Sequence, residues 1–252
     1  MRERIALEKR YAESHEVYLG GFSQDVPIYL DLAAKHGSPV LEVGCGAGRV
    51  SGRLAKAGYE VLGIDRHRPS LELARERLRP WRGRARAADH DLRQAPLSTR
   101  FRVALVTLHA FNALIEIEEQ RLFLRHLRRS LAEGGVVAID CFYPLALARP
   151  ELAGEWREIE RTHGGRTLVV RDRREMLTPL LERRTQIFRL DGGRVTEWVS
   201  HRRHVTAGQL TALLEEAGFE ELRWMSGYDT TTLQPASPDD APATPFLFLA
   251  DS

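Results

Sequence analysis

The stretch LEVGCGAGRV, residues 41–50, decides the fold of this chain. A short apolar run ends there, and glycine then follows at every second position, at Gly44, Gly46 and Gly48. A glycine turn that follows a strand commonly holds a nucleotide, because the backbone can approach the ligand without an intervening Cβ. The stretch therefore predicts a nucleotide-binding turn at the end of a buried strand.

Strand and helix patterns alternate on both sides of this turn. Apolar strand patterns lie at Val40–Val43, Tyr59–Ile64, up to Ala88, Phe101–Leu108, Val136–Ile139, Phe219–Met225 and Pro245–Ala250. Helical spacing lies at residues 1–19, 24–36, 47–57, 69–80, 118–132 and 206–217. This alternation predicts an α/β fold with a doubly wound, mostly parallel sheet that carries helices on both faces.

The helical period is lost between about residues 155 and 205. Two double-glycine turns, at residues 163–166 and 191–194, lie between strand-like segments and predict three or four antiparallel strands. A Thr-x-x-Gln capping box at Thr206 then opens another helix. The chain is thus expected to form one α/β domain interrupted by an antiparallel β insertion. The expected boundaries are residues 1–145 and 206–252 for the α/β domain and 146–205 for the insertion.

Composition favours a globular protein of the cytoplasm. Hydrophobic residues make up 43% of the chain and the formal net charge is +2. The sequence contains no run of about 18 apolar residues that would predict a membrane span, and its charged first residues argue against a secretory signal. The two cysteines, Cys45 and Cys141, fit a reducing compartment and predict neither a disulfide framework nor a metal site.

Nucleic acid is not the expected partner, although nearly all basic residues are arginines. The arginines between Arg75 and Arg86 straddle a helix end and fit a solvated face. Some arginines of the insertion could attract an acidic substrate, but alternating strand positions favour an exposed face for them. These arginines are Arg171, Arg173, Arg174, Arg183 and Arg184.

The residues around the turn narrow the choice of nucleotide. A dinucleotide fingerprint needs glycine where this chain has Arg49, and no Lys-Ser or Lys-Thr follows to form a phosphate loop. Glu42 would repel a pyrophosphate, but it suits a ligand with positive charge, such as S-adenosylmethionine with its ammonium and sulfonium groups. Asp65 and Asp89 end the next two strands, where carboxylates can accept from ribose hydroxyls and from the adenine amine.

The segment VLEVGCGAGRVSGRLAKAGYEVLGIDRHRPSLELARERL resembles the first two motifs of the class I S-adenosylmethionine-dependent methyltransferases. The resemblance covers residues 40–140 well and 206–250 more loosely. It implies a Rossmann-like sheet of seven strands with the last strand antiparallel. It also implies S-adenosylmethionine as the cofactor, with S-adenosylhomocysteine as its product.

The same resemblance assigns roles along the carboxyl edge of the sheet. The turn residues Gly44, Cys45, Gly46 and Gly48 border the methionyl group, and Glu42 supports the turn and the ligand ammonium. The resemblance also implies that Asp65 binds the ribose. The adenine is bordered by Arg66, Asp89 and His90, with Asp91 as a rival for the acidic role. Leu108 and His109, just past the fourth strand, border the methyl donor.

The acceptor side is expected around TLHAFNAL, residues 107–114, which should face the donor. His109 is the candidate general base, with a packed loop histidine as the equal alternative, and Asn112 is a candidate for orienting a polar acceptor. Tyr18 in the first helix and Tyr143 after the fifth strand are candidate substrate contacts, and so is Tyr11.

The resemblance favours a small-molecule acceptor, methylated on nitrogen or oxygen. Leu108-His109-Ala110-Phe111 stands where methylases of base or amide nitrogens often carry an Asn- or Asp-Pro-Pro-Tyr motif. The β insertion resembles the sheet that covers the active site in glycine N-methyltransferase-like and aminosugar N-methyltransferases. An RNA methyltransferase and a non-catalytic S-adenosylmethionine-binding protein remain the alternatives, and a nicotinamide dehydrogenase is disfavoured. A monomer or a homodimer is expected, without membrane association.

Overall fold

The computed structural model describes residues 2–141, 154–228, 234–235 and 246–251. Its helices are α1 (Arg2–Gly20), α2 (Val26–His36), α3 (Arg49–Lys56), α4 (Arg68–Leu78), α5 (Ile117–Arg129) and α6 (Ala207–Glu216). Short 3₁₀ turns lie at Arg79–Trp81 and Phe111–Ala113. The first strands are β1 (Val40–Val43), β2 (Val61–Asp65), β3 (Ala85–Asp89), β4 (Phe101–Val106) and β5 (Leu131–Cys141). The later ones are β6 (Arg157–His163), β7 (Arg166–Thr178), β8 (Leu181–Leu190), β9 (Val195–Arg203), β10 (Glu220–Ser226), β11 (Gln234–Pro235) and β12 (Phe246–Asp251).

The larger sheet has the strand order β11-β10-β12-β5-β4-β1-β2-β3. Strands β1 to β5 pair in parallel, whereas β12 runs antiparallel to both of its neighbours, β5 and β10. The predicted seven-stranded sheet with an antiparallel last strand is therefore confirmed, and the two-residue strand β11 extends its edge. Because the parallel strands point the same way, their carboxyl ends meet at one edge.

Buried side chains cover both faces of this sheet. On one face the core includes Phe123 and Leu127 of α5 together with Leu210 of α6. On the other face it includes side chains of α2 and α3, among them Leu32 and Leu54. The layered arrangement follows from the sequence, because strands buried on both faces read as continuous apolar runs.

The β insertion is a four-stranded antiparallel sheet in the order β6-β7-β8-β9. Its first and last hairpins turn at the two predicted double-glycine sites. The chain leaves it through Thr206, whose hydroxyl accepts from the Gln209 backbone N–H at 3.2 Å, while the Gln209 side chain accepts from the Thr206 N–H at 3.1 Å. The predicted capping box therefore exists and begins α6.

Helix α1 joins the insertion to the α/β domain. Its Val17 packs into a small core with Val170 and Phe188 of the insertion. Tyr11 stacks on Trp198 of β9 with ring centroids 3.9 Å apart. An aromatic pair of this kind contributes about 0.5–1.5 kcal/mol beyond its buried area. The helix is therefore fixed over the carboxyl edge of the large sheet.

Three expectations differ from the structure or lie outside it. Strand β5 begins at Leu131, five residues before the predicted start, and continues through the Gly134-Gly135 pair. Tyr143 and the expected boundary at residues 145–146 lie outside the described residues, so the division into domains stays a prediction.

The described helices include none long and apolar enough to cross a membrane. The cytoplasmic location and the oligomeric state stay predictions.

Candidate active site

The glycine turn bends tightly between the ends of β1 and β2. The backbone N–H groups of Gly44 and Cys45 both donate to the carbonyl of Ile64, at 2.8 and 3.0 Å. A Cβ on Gly44, where φ is +72°, would lie 2.5 Å from the Cβ of Ala110 in the segment after β4. At Gly46, where φ is +52°, a Cβ would have no neighbouring atom within 4 Å. The first glycine thus permits close packing, and the second leaves a cradle open.

Glu42 fixes the helix that follows the turn. Its buried carboxylate accepts from the Ser51 backbone N–H at 2.7 Å and from the Ser51 hydroxyl at 2.5 Å, and its other oxygen accepts from Thr107 at 3.2 Å. Burial raises the pKa of Glu42, and the hydrogen bond from Ser51 opposes that rise. The carboxylate lies against the N-terminal turn of α3, where negative charge complements the helix dipole.

Asp65 links the glycine turn to the end of β2. One of its oxygens accepts from the Gly46 N–H and the other from the His67 N–H, both at 2.8 Å. Each carboxylate oxygen retains a further lone pair, so these bonds leave capacity for ribose hydroxyls.

The expected adenine residues pair with side chains or backbone around them. Asp89 accepts from Arg68 at 3.0 Å, and Arg66 donates to Asp91 at 3.1 Å. The imidazole of His90 lies 2.9 Å from the carbonyl of Ala95. Asp89 and the side chain of Arg66 are solvent-exposed, so an adenine would lie on the outer rim of the site.

A cavity of about 360 Å³ opens next to the glycine turn, between the end of β4, helix α1 and the β insertion. Ligand pockets commonly fall in the range of about 300–1,000 Å³. Its wall includes half of the expected site residues: Tyr18, Glu42, Gly44, Cys45, Gly46, Leu108 and His109. The expected residues Gly48, Asp65, Arg66, Asp89, His90 and Asn112 do not line it. The wall also includes residues that the sequence analysis did not assign to the site: His15, Arg49, Arg174, Arg184, Arg202 and Tyr228.

The end of β4 is held in an uncommon backbone conformation. Leu108 and His109 have φ values of 42° and 67°, in the left-handed region that non-glycine residues rarely adopt. Such residues cost on the order of 1–3 kcal/mol each and persist where the surroundings determine them. The carboxylate of Asp140, at the end of β5, accepts from the Leu108 N–H at 3.2 Å and from the Tyr228 hydroxyl at 2.7 Å. Burial raises the pKa of Asp140 to about 6.

The two histidines on the cavity wall are neutral at physiological pH. Burial lowers the pKa of His109 well below its ordinary value, and the positive charges of Arg202, Arg184 and Arg174 lower it further. Burial and the same field, led by Arg184, lower the pKa of His15 to about 3. His109 can therefore accept a hydrogen bond, but it is a weak base for removing a proton.

The arginines of the insertion divide between its two faces. Arg171 and Arg183 are exposed, as expected. Arg174 and Arg184 instead line the cavity, so the expectation of an exposed face is wrong for these two. The strand alternation was correct, but helix α1 and the α/β domain cover the face to which the even-numbered positions belong.

Three further candidate site residues, Asn112, Cys45 and Tyr18, are held by neighbouring residues in the structure. Asn112 is fully buried and does not line the cavity, and its amide donates to the carbonyl of Arg203 at 2.9 Å, so its place in the structure does not support a contact with an acceptor. The thiol of Cys45 packs where a side chain on Gly63 would clash, and burial raises its pKa, as expected of a structural residue. The hydroxyl of Tyr18 accepts from Arg184 at 3.2 Å.

Comparison with known proteins agrees with this geometry. Residues 40–135 match a family described as "Methyltransferase domain". A curated relative, the cypemycin N-terminal methyltransferase of a Streptomyces species, is 30% identical over 189 residues, which is 73% of each chain. The fold is similar to that of an amino pentose methyltransferase from Micromonospora echinaspora, with a TM-score of 0.68, 21% identity and coverage of 100% of this chain and 96% of that one. It is also similar to DesVI from Streptomyces venezuelae, with a TM-score of 0.74, 19% identity and coverage of 95% and 97%.

The chain belongs to the class I methyltransferase family. It is an S-adenosylmethionine-dependent enzyme. The donor side of the site fits this cofactor, because the cradle at Gly46 is open and the carboxylates of Glu42 and Asp65 flank the turn that would receive a cationic ligand. Among the described residues, no cluster of three or more His, Cys, Asp or Glu side chains could hold a metal ion.

Proposed function

We propose that this methyltransferase acts on an amine nitrogen of a small molecule or a short peptide that enters the cavity beneath the β insertion. One observation carries the proposal: the cavity wall joins the donor turn to a cationic sheet and keeps both of its histidines neutral. The cypemycin enzyme is named for methylation at an N-terminus, and one structural neighbour is an amino pentose methyltransferase. These names support an amine over a hydroxyl.

The positive field gives an amine the protonation state that it needs. An amine is nucleophilic only as the free base, because its lone pair must be available to attack. Burial lowers the pKa of His15 and His109, and the positive charges of Arg184 and Arg202 lower it further; both causes would lower the pKa of an acceptor amine in the same way. The enzyme can therefore present a neutral amine without a strong general base.

Positioning supplies the rest of the rate enhancement in this proposal. Bound S-adenosylmethionine supplies an activated methyl group on its sulfonium. The turn at Gly44 to Gly48 and the strained segment Leu108-His109 fix one side of the cavity, while α1 covers it and excludes water. His109 orients the amine by accepting a hydrogen bond. After transfer, the methylated ammonium product releases its proton to water.

We also propose the expected division of the donor site. The methionyl group lies against Gly44, Gly46 and Gly48, the ribose at Asp65, and the adenine between Arg66, Asp89 and His90. Asp65→Ala should weaken S-adenosylhomocysteine binding at least tenfold in a calorimetric titration, because two ribose hydroxyls lose their acceptor. Asp31→Ala, at an exposed position of α2, is the matched control. Equal affinities in the two variants would contradict the assignment.

An acceptor panel with labelled S-adenosylmethionine tests the reaction class. The panel contains aminosugars, peptides with free N-termini, phenols, alcohols and bulk RNA. We expect label in the amines, with a kcat that stays constant below the solution pKa of the amine. Label in the hydroxyl compounds alone, or in RNA alone, would reject the amine proposal. Cofactor binding without label in any member would support the non-catalytic alternative.

A further inference from the structure

The face of the β insertion that lies against the rest of the protein is apolar at one end and charged at the other. Even-numbered residues of β7, β8 and β9 share this face, because side chains alternate along a strand. At one end Val170 and Phe188 pack beneath α1. At the other end the face carries charge, where Arg174 lies opposite Arg184 and Glu182 lies opposite Arg202 in the strand register. The charged end is the part that lines the cavity.

Positive charge exceeds negative charge at this end. Asp172 accepts from Arg184 at 2.5 Å and from Arg174 at 3.3 Å, so one carboxylate serves two guanidinium groups. Glu182 lies 3.3 Å from the imidazole of His204, and its second carboxylate oxygen has no hydrogen-bond partner among the described residues. Arg202 forms no ion pair within the described part of the chain. Three cations therefore face two carboxylates.

The remaining acids of the cavity wall do not balance this excess. Glu16 pairs with Arg77 of α4, and Glu42 is held by Ser51 and Thr107 on the donor side. Like charges directly opposite in a sheet are destabilising, as for Arg174 and Arg184. The partly buried Arg202 has its pKa lowered to about 10, first by burial and then by Arg184, and it remains charged at neutral pH. An anion bound beside these arginines would balance the excess positive charge of the cavity wall.

We propose that the acceptor carries a carboxylate or phosphate group and that Arg202, supported by Arg174 and Arg184, binds it. Guanidinium groups hold both kinds of anion through paired N–H donors. With the anion at this wall, the amine of the same molecule extends across the cavity toward His109 and the donor turn. The inference deepens the amine proposal and rests on it: the acceptor is an amine that also bears an anionic group.

Binding of simple anions tests the subsite without turnover. Inorganic phosphate and acetate are titrated separately by calorimetry at constant ionic strength, with chloride as the reference ion. We expect one or both to bind the native protein more tightly than chloride, and the stronger of the two identifies the class. Arg202→Gln should weaken that binding at least tenfold. Arg183→Gln, at an exposed position next to Arg184, should leave it unchanged. Equal binding in the native protein and R202Q would overturn the inference.

Kinetics with matched acceptors tests the same subsite in the reaction. An amine acceptor with a free carboxylate is compared with its amide, and a phosphorylated amine with its unphosphorylated form. We expect R202Q to raise KM for the anionic member at least tenfold more than KM for the neutral member, whereas R183Q, at an exposed position, should change neither. R202K keeps the charge but loses the paired donors. Its KM for the anionic member should lie between the values for the native enzyme and for R202Q. R202K also gives a folded comparison if circular dichroism shows that R202Q is unfolded.

The two proposals fail in different ways. If the native enzyme methylates the neutral members as efficiently as the anionic ones, the anion subsite is wrong and the amine proposal stands. If phosphate or acetate binds through Arg202 but no amine is methylated, the subsite stands and the amine proposal is wrong.

Discussion

Asp140→Asn should change how the stability of the protein depends on pH. The folded state raises the pKa of Asp140 from 3.8 to about 6, because burial disfavours the charged form. Since the folded pKa is raised, the contribution of this carboxyl to stability is fully present below about pH 4 and is lost as pH rises through about 6. Ionisation of Asp140 therefore costs about 3 kcal/mol at neutral pH.

The variant removes this cost and retains the acceptor. The asparagine oxygen can still accept from the Leu108 N–H and the Tyr228 hydroxyl, while its new N–H₂ group adds an effect that does not vary with pH. Relative to the native protein, the free energy of unfolding of D140N should therefore rise by about 2 kcal/mol between about pH 4.5 and about pH 7.5.

Urea denaturation at a series of pH values measures this difference. Asp31→Asn, at an exposed position of α2, is the control for replacing a carboxyl group by an amide. If the curves for D140N and the native protein run parallel over this range, Asp140 is not destabilised by burial. The conclusion that burial raises the pKa of Asp140 would then be wrong.

Three further substitutions test separate parts of the frame. Gly44→Ala places a Cβ 2.5 Å from that of Ala110 at a φ of +72°. We therefore expect the free energy of unfolding to fall by about 1–3 kcal/mol and S-adenosylhomocysteine to bind more weakly. Unchanged affinity would show that the turn does not shape the donor site. Arg49→Gln leaves the buried Asp25 without the cation now 2.5 Å away and should cost about 3–5 kcal/mol. Adding Asp25→Asn should recover part of that loss, and an additive double variant would refute the coupling. Thr206→Ala removes the cap of α6 and should lower the free energy of unfolding by about 1 kcal/mol. An unchanged free energy of unfolding would show that the capping box does not stabilise the helix.

The geometry of the glycine turn could be predicted from the sequence because its signals are local, whereas the cofactor contacts of its residues stay a proposal. The glycine turn, Glu42 two residues before it, and Asp65 at the end of the next strand all depend on a parallel sheet whose strands read as apolar runs. The turn signals were equally local, since both double-glycine hairpins and the cap at Thr206 appear where the pattern placed them. In each case a few adjacent residues determine the geometry.

The acceptor half could not be predicted in the same way, because it depends on which face of the insertion is covered. The alternation of side chains along β8 places Arg183 and Arg184 on opposite faces, but it does not predict that α1 packs against the face that carries Arg184. Arg202 carried no signal beyond its charge, and its importance arises from the strand register that places it opposite Glu182. Asp140 is the residue before the end of β5, as Asp65 is the last residue of β2, and this position near a strand end was a sequence signal for Asp140 as well.

A crystal structure of the complex with S-adenosylhomocysteine tests the central claim most directly. The account predicts that the homocysteine part lies against the turn from Gly44 to Gly48, with the ribose at Asp65. The sulfur should face the cavity, with His109 beside it and Arg202 on the opposite wall. A ligand bound elsewhere, or a sulfur that points away from the arginine wall, would contradict the proposal that donor and acceptor meet in this cavity.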